Sequence, residues 1–251
     1  MMRREHQLVL LIRFGAIVLL LALWEIAVWR RWIDPLFLAG PLEAVMRLGP
    51  VASQVTPDII ATLIEFGSAF AIGVALAITL GFAINQSHYA TAVFKPLLVV
   101  GVTVPKVTLL PLFLLWFGIG KTPIIIFGAL SGFFPMVVNV MAASDEIKPN
   151  QILLARAMGY GRLDILRKVT LPAMLPVLSS AMFYACNAAM MGVFIVELGI
   201  ARSGLGVVVH GYAVTFQTTD LYAAVILTAS ITVAINMALW YLARYFGRWR
   251  R

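Results

Sequence analysis

Charge and cysteine are scarce in this sequence. Asp, Glu, Lys and Arg make up only 12% of its 251 residues, whereas a soluble globular domain carries about a quarter. Cys186 is the single cysteine, which excludes an internal disulfide and a thiolate metal cluster. His6, His88 and His210 are far apart and have no metal-ligating neighbour at helical spacing. These shortages argue against an enzyme that works by hydrolytic, redox or metal chemistry, and they predict no metal site.

Apolar residues dominate instead, at 62% of the chain with a mean hydropathy of +0.96. This composition predicts an all-α, polytopic membrane protein that forms a single transmembrane domain over residues 1–251. A membrane-spanning helix needs about 20 apolar residues, and six stretches qualify. They are Phe14–Trp29, Ile59–Ile84, Pro96–Phe117, Pro123–Ala143, Pro172–Val196 and Leu221–Tyr245. The first resembles a secretory signal, but Trp24, Glu25 and Trp29 occupy the place of a cleavage site, which predicts a retained anchor.

The basic residues predict the orientation of the chain. A net charge of +8 could indicate nucleic-acid binding, but in a membrane protein a basic excess marks the cytoplasmic side. With the N-terminus inside, 13 of the 19 Lys and Arg residues fall on inner segments and 5 on outer ones. We therefore predict that both termini and the loop over residues 144–172 are cytoplasmic. The weakly periodic stretch Pro41–Gln54 would lie along the outer interface.

Two spans carry small residues at every fourth position, and a third is rich in proline. The stripes are Ala69, Gly73, Ala77 and Gly81 in span two, and Gly128 and Gly132 in span four. They favour close helix packing, either within one subunit or between two subunits. Pro96, Pro105 and Pro111 predict that span three is kinked and that the freed carbonyl groups need partners.

Glu25, Glu65 and Lys106 are ionisable residues inside predicted spans. A charge within the bilayer costs several kcal/mol unless it is paired, neutral or facing water. Glu65 and Lys106 are at similar predicted depths, so they could form a buried pair. Alternatively, Lys106 could face an aqueous path and attract an anionic substrate.

The loop before span five is the longest polar break with several charges on the predicted inner side. Ile152, Ala155, Met158 and Gly159 fall on one helix face, with Ala155 and Gly159 forming a shallow strip. Gly159-Tyr160-Gly161 predicts a helix stop and a tight turn, followed by a second short helix over Arg162–Val169. Such a helix-turn-helix suits a groove on a partner protein, but its spacing also fits a loop resting on anionic lipid.

Residues 153–172 resemble the cytoplasmic signature of ABC importer permeases, Glu-Ala-Ala-x3-Gly-x9-Ile-x-Leu-Pro. The third residue of that pattern falls on Ala155, its glycine on Gly159 and its Leu-Pro on Leu171-Pro172, without a gap. Leu153 and Leu154 replace the leading Glu-Ala. Phosphate binding is not indicated, because the stretch Gly118-Ile119-Gly120-Lys121-Thr122 lacks the earlier glycine of a phosphate-binding loop.

Other segments resemble the nitrate, sulfonate and taurine subgroup of these permeases. The matching segments are Trp24-Glu25, Asp34-Pro35, Val104-Pro105-Lys106, Leu110-Pro111-Leu112, residues 115–120, Phe134-Pro135 with Asn139, Glu197, and Ser203-Gly204-Leu205-Gly206. Glu65 departs from the pattern, because many members have a basic residue there.

The resemblance implies the fold of a type I ABC importer permease in the bacterial inner membrane. It implies a homodimer of permeases, with cytoplasmic ATPase subunits that bind ATP and Mg²⁺ and an extracytoplasmic solute-binding protein. This chain would bind no cofactor or nucleic acid of its own. The implied ATPase-docking residues are Ala155, Arg156, Met158, Gly159, Arg162, Leu163, Leu171 and Pro172; the implied path residues are Lys106, Glu65, Trp116 and Asn139.

The implied solute is a small anion such as nitrate, a sulfonate or taurine. Pyrimidine precursors and aromatic acids are the alternative class within the subgroup. A carrier or channel that works alone, and a membrane-embedded structural or receptor subunit, are the alternatives to an importer. Co-purification with an ATPase, or activity of the chain alone in vesicles, distinguishes the first of these from an importer.

Overall fold

The computed structural model describes residues 2–145 and 149–246; at positions 2–6, 10, 144, 145, 149, 162, 166, 171, 245 and 246 it describes the backbone alone. All regular elements in these ranges are helical, which confirms the predicted all-α class. The helices are α1 Met2–Trp29, α2 Pro41–Gln54, α3 Thr56–Asn85, α4 His88–Thr103, α5 Leu110–Phe117, α6 Lys121–Asp145, α7 Pro149–Ala157, α8 Arg162–Ile165, α9 Leu171–Ile200, α10 Leu205–Val214 and α11 Thr218–Phe246. A 3-10 turn, Lys106–Leu109, precedes α5, and a π-helical turn, Leu166–Thr170, precedes α9.

Five of the described helices are long and apolar enough to cross a membrane. They are α1, α3, α6, α9 and α11, and a sixth span results if α4 and the segment Lys106–Phe117 are counted as one. The predicted spans two, four, five and six end within a few residues of these helices. The first span was predicted too short at its N-terminal end, because the apolar part of α1 begins at Gln7 and not at Phe14. Helix α10 was not predicted from the sequence.

The predicted interruption of span three is confirmed, and it falls at Pro105. The axes of α4 and the segment Lys106–Phe117 meet at 89°. Pro96 lies within α4, and Pro111 lies in the first turn of α5, where its missing N–H has no intrahelical partner to lose. The break frees the carbonyl of Val102, and Lys106 Nζ donates a hydrogen bond to it over 3.3 Å.

The described chain divides into two compact units. Unit 1 comprises residues 1–56 and 208–230, and unit 2 comprises residues 57–207 and 231–251. In unit 1, Glu25 supplies the helix cap that Gly40 cannot: its Oε2 accepts a hydrogen bond from the backbone N–H of Leu42, in the first turn of α2, over 3.2 Å. A negative carboxylate is favoured at a helix N-terminus. The ionisable residue of span one therefore has a local structural role.

Unit 1 is also held by contacts between distant parts of the sequence. Arg47 donates two hydrogen bonds to the carboxylate of Asp220, over 2.7 and 2.9 Å. The Thr218 hydroxyl donates to the carbonyl of Leu36. Trp24 Nε1 donates to the carbonyl of Ala39 over 3.0 Å. These bonds join α1 and α2 to the beginning of α11.

Unit 2 is built on the close packing of α6 against α9 and α3. A Cβ atom at Gly128 would lie 2.6 Å from Val193 Cγ2 and 2.9 Å from Ala69 Cβ, so only glycine allows this approach. The whole stripe Ala69, Gly73, Ala77 and Gly81 is buried within this one chain. Of the two alternatives for the small residues, the structure therefore shows packing within one subunit.

Candidate functional site

The loop before α9 forms the predicted helix-turn-helix. At the end of α7 the N–H of Gly159 donates to the carbonyl of Arg156 over 2.9 Å, and the N–H of Tyr160 donates to the carbonyl of Ala155 over 3.1 Å. These two bonds form a Schellman motif, which requires a left-handed residue at the position of Gly159. Its φ is +81°, a value that other residues adopt only with strain. Gly159 therefore fixes the direction in which the chain leaves α7.

The second arm of the loop is tied to this turn through Lys168. Its Nζ lies 4.9 Å from the centre of the Tyr160 ring and 3.0 Å from Asp164 Oδ1. The hydrogen bond to Asp164, and then the charge of that carboxylate, raise the pKa of Lys168 above its ordinary value. Lys168 therefore stays protonated at neutral pH and holds the two arms of the loop together.

The predicted docking residues differ in how much surface they present. Met158 and Leu163 are 63% and 69% exposed. Arg156 and Pro172 are also exposed. Ala155 is only 4% exposed, so it packs against its own chain and leaves little surface for a partner. The side chains of Arg162 and Leu171 lie outside the described ones.

A groove of about 660 Å³ lies beside α7. Its walls are formed by one face of α7, by Tyr160 and Lys168, and by the first turns of α9, with Ala243 of α11 at one side. The lining is mainly apolar and includes the exposed side chains of Leu154 and Met158. The loop thus presents an apolar, concave surface with a lysine at its margin.

The loop continues into α9 without a break in helical backbone. The helix α8, the π-helical turn and α9 follow one another directly from Arg162 to Ile200. Pro172 lies in the first turn of α9 and has no N–H to give to the preceding turn. A π-helical turn is one way for a helix to absorb such a missing bond. A displacement of the loop would therefore be transmitted to α9.

Lys106 lies at the 89° break, as the first residue of the 3-10 turn. Its Nζ donates to the carbonyl of Val102 and lies 5.4 Å from the centre of the Phe134 ring on α6. A lysine over an aromatic face is stabilised by the ring without losing its charge. Because the helix is broken there, backbone groups and a cation are available at one place, as in transporter sites built from broken helices.

Glu65 does not pair with Lys106. Its side chain is 0% exposed, and neither carboxyl oxygen has a hydrogen-bonding partner. It lies beside Glu197 instead, close enough for the two carboxyl groups to interact. Glu197 was noted in the sequence only as part of the family resemblance. Its importance could not be predicted, because its contacts come from segments distant in the sequence.

The remaining predicted path residues are in different environments. Trp116 is 64% exposed and contacts Phe113, with ring centres 6.2 Å apart. The amide of Asn139 donates to the carbonyl of Pro135 in its own helix over 2.7 Å. Phe134, which the structure places against Lys106, had been noted only as part of the resemblance. Asn187 on α9 and Asn236 on α11 exchange amide hydrogen bonds with each other. This pair was not singled out from the sequence, although two asparagines within apolar spans were a signal for it.

Known proteins similar to this chain are transport permeases. The taurine transport system permease protein TauC of Escherichia coli (strain K12) is 26% identical over 242 residues, which is 94% of this chain and 88% of that protein. The riboflavin transport system permease protein RibX of Chloroflexus aurantiacus is 31% identical over 154 residues, or 61% and 58% of the two chains.

A solved structure of the MetNI methionine ABC transporter in an inward-facing conformation shares the fold. It is 20% identical, with a TM-score of 0.68, and the match covers 79% of this chain and 99% of that one. The sequence profile of one family matches residues 69–251, which include the loop, the bend at Pro105 and Glu197. The chain belongs to the family of binding-protein-dependent transport system inner membrane components.

Proposed function

We propose that this chain is the permease subunit of an ATP-driven importer, that its loop over residues 149–172 docks on a cytoplasmic ATPase subunit, and that it transports a small anionic solute. In this proposal two copies of the chain form the path, and both termini are cytoplasmic. ATP and Mg²⁺ bind to the partner ATPase. An extracytoplasmic binding protein delivers the solute.

The observation that supports docking is the combination of exposed apolar side chains with a rigid backbone. Met158 and Leu163 are exposed, while the Schellman motif and the Lys168 contacts fix the backbone that carries them. Rigid, exposed apolar residues are typical anchors of protein interfaces, because they lose little conformational entropy on binding. A loop that rested on lipid would not need a fixed turn.

The proposed mechanism follows from the continuity of the loop with α9. Closure of the ATPase subunits on ATP would draw the two docked loops together. Because the backbone is helical from Arg162 to Ile200, that movement would displace α9 within the membrane. A rigid displacement of this kind shifts the population from the inward-facing to the outward-facing state.

The anionic solute is supported by two observations. Lys106 is a cation at the bend of a broken helix, and the taurine permease, whose named solute carries a sulfonate group, aligns with nearly the whole chain. The riboflavin permease aligns with a smaller part. Competition for uptake between an aliphatic sulfonate and riboflavin would distinguish an anionic solute from an uncharged one.

The docking proposal is tested by substituting Leu163→Glu and Met158→Glu in the full-length transporter. Both side chains are exposed, so neither change removes packing within the chain. A carboxylate buried at the interface without a partner costs several kcal/mol, so we expect co-purification of the ATPase subunit and ATP-driven uptake to fall about tenfold or more. The amount of permease in the membrane should not change.

Gln86→Glu is the control, because it adds the same charge to an exposed polar residue outside the loop over residues 149–172. This variant should still co-purify with the ATPase subunit and should still support ATP-driven uptake. Normal co-purification with Leu163→Glu and Met158→Glu would contradict the docking proposal. Uptake by the chain alone in ATP-free vesicles would indicate a carrier or channel instead of an importer.

A further inference from the structure

Two carboxyl groups lie side by side in the interior of unit 2. Glu65 on α3 is 0% exposed and Glu197 on α9 is 1% exposed. Both oxygens of Glu65 are buried and have no hydrogen-bonding partner. An unpaired, fully buried carboxylate beside a second carboxylate would combine two unfavourable conditions, lost hydration and like-charge repulsion.

The hydrogen bonds of Glu197 show which of the two groups is ionised. Thr62 Oγ1 donates to Glu197 Oε1 over 2.7 Å, and the N–H of Gly206 donates to Oε2 over 2.8 Å. Thr62 Oγ1 in turn accepts from the N–H of Leu205 over 2.8 Å, so its own hydrogen is directed to Glu197. Both oxygens of Glu197 therefore act as acceptors, which is the arrangement of a carboxylate.

The turn before α10 is fitted to that carboxylate. Leu205 and Gly206 are the first residues of α10, whose N-terminal N–H groups favour a negative charge. Gly204 has a φ of +118°, and a Cβ atom there would overlap the Glu197 carboxyl group. Glu197 is thus the cap of α10, and its negative charge is compensated by the turn.

We propose that Glu65 and Glu197 form a proton-binding site: the pair holds one proton, carried by Glu65, while Glu197 remains the carboxylate that caps α10. The groups that face Glu65 from its neighbours are Glu197 on α9 and, at longer range, Lys121 at the start of α6. On its own helix Asp58 is engaged by the N–H of Gly204 over 2.8 Å. No third acidic, histidine or cysteine ligand completes a metal site within residues 2–145 and 149–246, which favours a proton over a metal ion.

The consequence is a stability that depends on pH. The folded chain holds this proton at neutral pH, whereas an exposed glutamate in the unfolded chain releases it. Because the folded state binds more protons than the unfolded state, stability is highest at low pH and falls as pH rises. The effect approaches a tenfold change in the folding equilibrium for each pH unit and each proton.

The test is thermal unfolding of the full-length chain in lipid nanodiscs, followed by tryptophan fluorescence between roughly pH 6 and roughly pH 9. Wild type should unfold at lower temperature as pH rises, and Glu65→Gln, which is neutral at every pH, should lose this part of the dependence. Asp58→Asn is the control, since it removes a neighbouring carboxylate outside the pair and should keep the wild-type slope. Equal slopes in wild type and Glu65→Gln would overturn the proposal.

Two further measurements decide the identity of the bound cation and do not depend on the folding of the variant. Infrared spectra of wild type at neutral pH should contain the carbonyl stretch of a protonated carboxylic acid, and its absence would overturn the proposal. Replacing choline chloride by sodium chloride at constant pH should leave the unfolding temperature unchanged. Stabilisation by sodium would instead show a sodium site and overturn the proposal. Neither result bears on the docking of an ATPase, so this inference and the proposed function can fail independently.

Discussion

Single residues in this protein differ in whether their role is local or depends on the fold. Gly159 is local: its φ of +81° serves the turn after α7, and nothing lies within 4 Å of a Cβ atom placed there. A substitution such as Gly159→Asp would therefore strain the backbone by about 1–3 kcal/mol in addition to adding charge. For this reason the exposed side chains of Met158 and Leu163 test docking more cleanly than Gly159 does.

At the scale of single residues, the prediction concerns the effect of Lys106 on the uptake of an anionic solute. If its charge attracts the solute, Lys106→Met should lower the uptake of an anionic solute about tenfold to a hundredfold, because a hydrogen bond to a charged group contributes about 1.5–3 kcal/mol. Lys106→Arg should retain most of the uptake. The measurement is the initial rate of uptake of a labelled aliphatic sulfonate in proteoliposomes that contain the assembled transporter.

The matched control for this prediction is Lys121→Met, which removes one positive charge from an exposed position at the start of α6. It should leave uptake near the wild-type rate. An equal loss in both variants would mean that general basicity, and not the position of Lys106 at the bend, governs uptake.

At the scale of elements, α6 packs so closely against α9 at Gly128 that a larger side chain there would overlap its neighbours. Gly128→Val would force Val193 and Ala69 apart, at a cost of about 1–3 kcal/mol for overpacking. We expect a lower unfolding temperature, measured by the reaction of a thiol-reactive fluorophore with Cys186, which is 0% exposed on α9.

Gly67→Val makes the same chemical change at an exposed position of α3, where nothing lies within 4 Å of a new Cβ atom. It should unfold at the wild-type temperature. If Gly67→Val were as destabilising as Gly128→Val, the cost would come from valine in a membrane helix and not from close packing.

At the scale of the whole molecule, contacts join segments that are far apart in the chain. Within unit 1, Arg47 and Asp220 are separated by 173 residues and form a bidentate ion pair. The hydrogen bonds that Arg47 donates to Asp220, and then the charge of that carboxylate, raise the pKa of Arg47. The arginine is therefore charged at every physiological pH, so ionic strength is the variable that tests the pair.

The corresponding prediction is a charge exchange. Arg47→Asp and Asp220→Arg should each lower the unfolding temperature, because each places two like charges together. The double variant should recover much of the loss, and its recovery should shrink at high salt. Purely additive losses in the double variant would show that the two side chains do not stabilise unit 1 through each other.

The sequence alone determined the features that depend on neighbouring residues. Hydropathy runs located the spans, the Gly-Tyr-Gly stretch placed the turn of the loop, and the spacing of Ala155, Gly159 and Pro172 indicated the family, which the comparison confirms. The orientation of the termini, the docking role of the loop and the single domain over residues 1–251 remain predictions.

The tertiary structure alone decided which distant groups meet. It placed Glu65 beside Glu197 and not beside Lys106, buried Ala155, and chose Pro105 among three prolines for the bend. Thr62 and Glu197 are 135 residues apart, and no local pattern encodes their contact. Turns and spans are set by short-range backbone geometry and hydropathy, whereas the partner of a buried charge is set by how the helices pack.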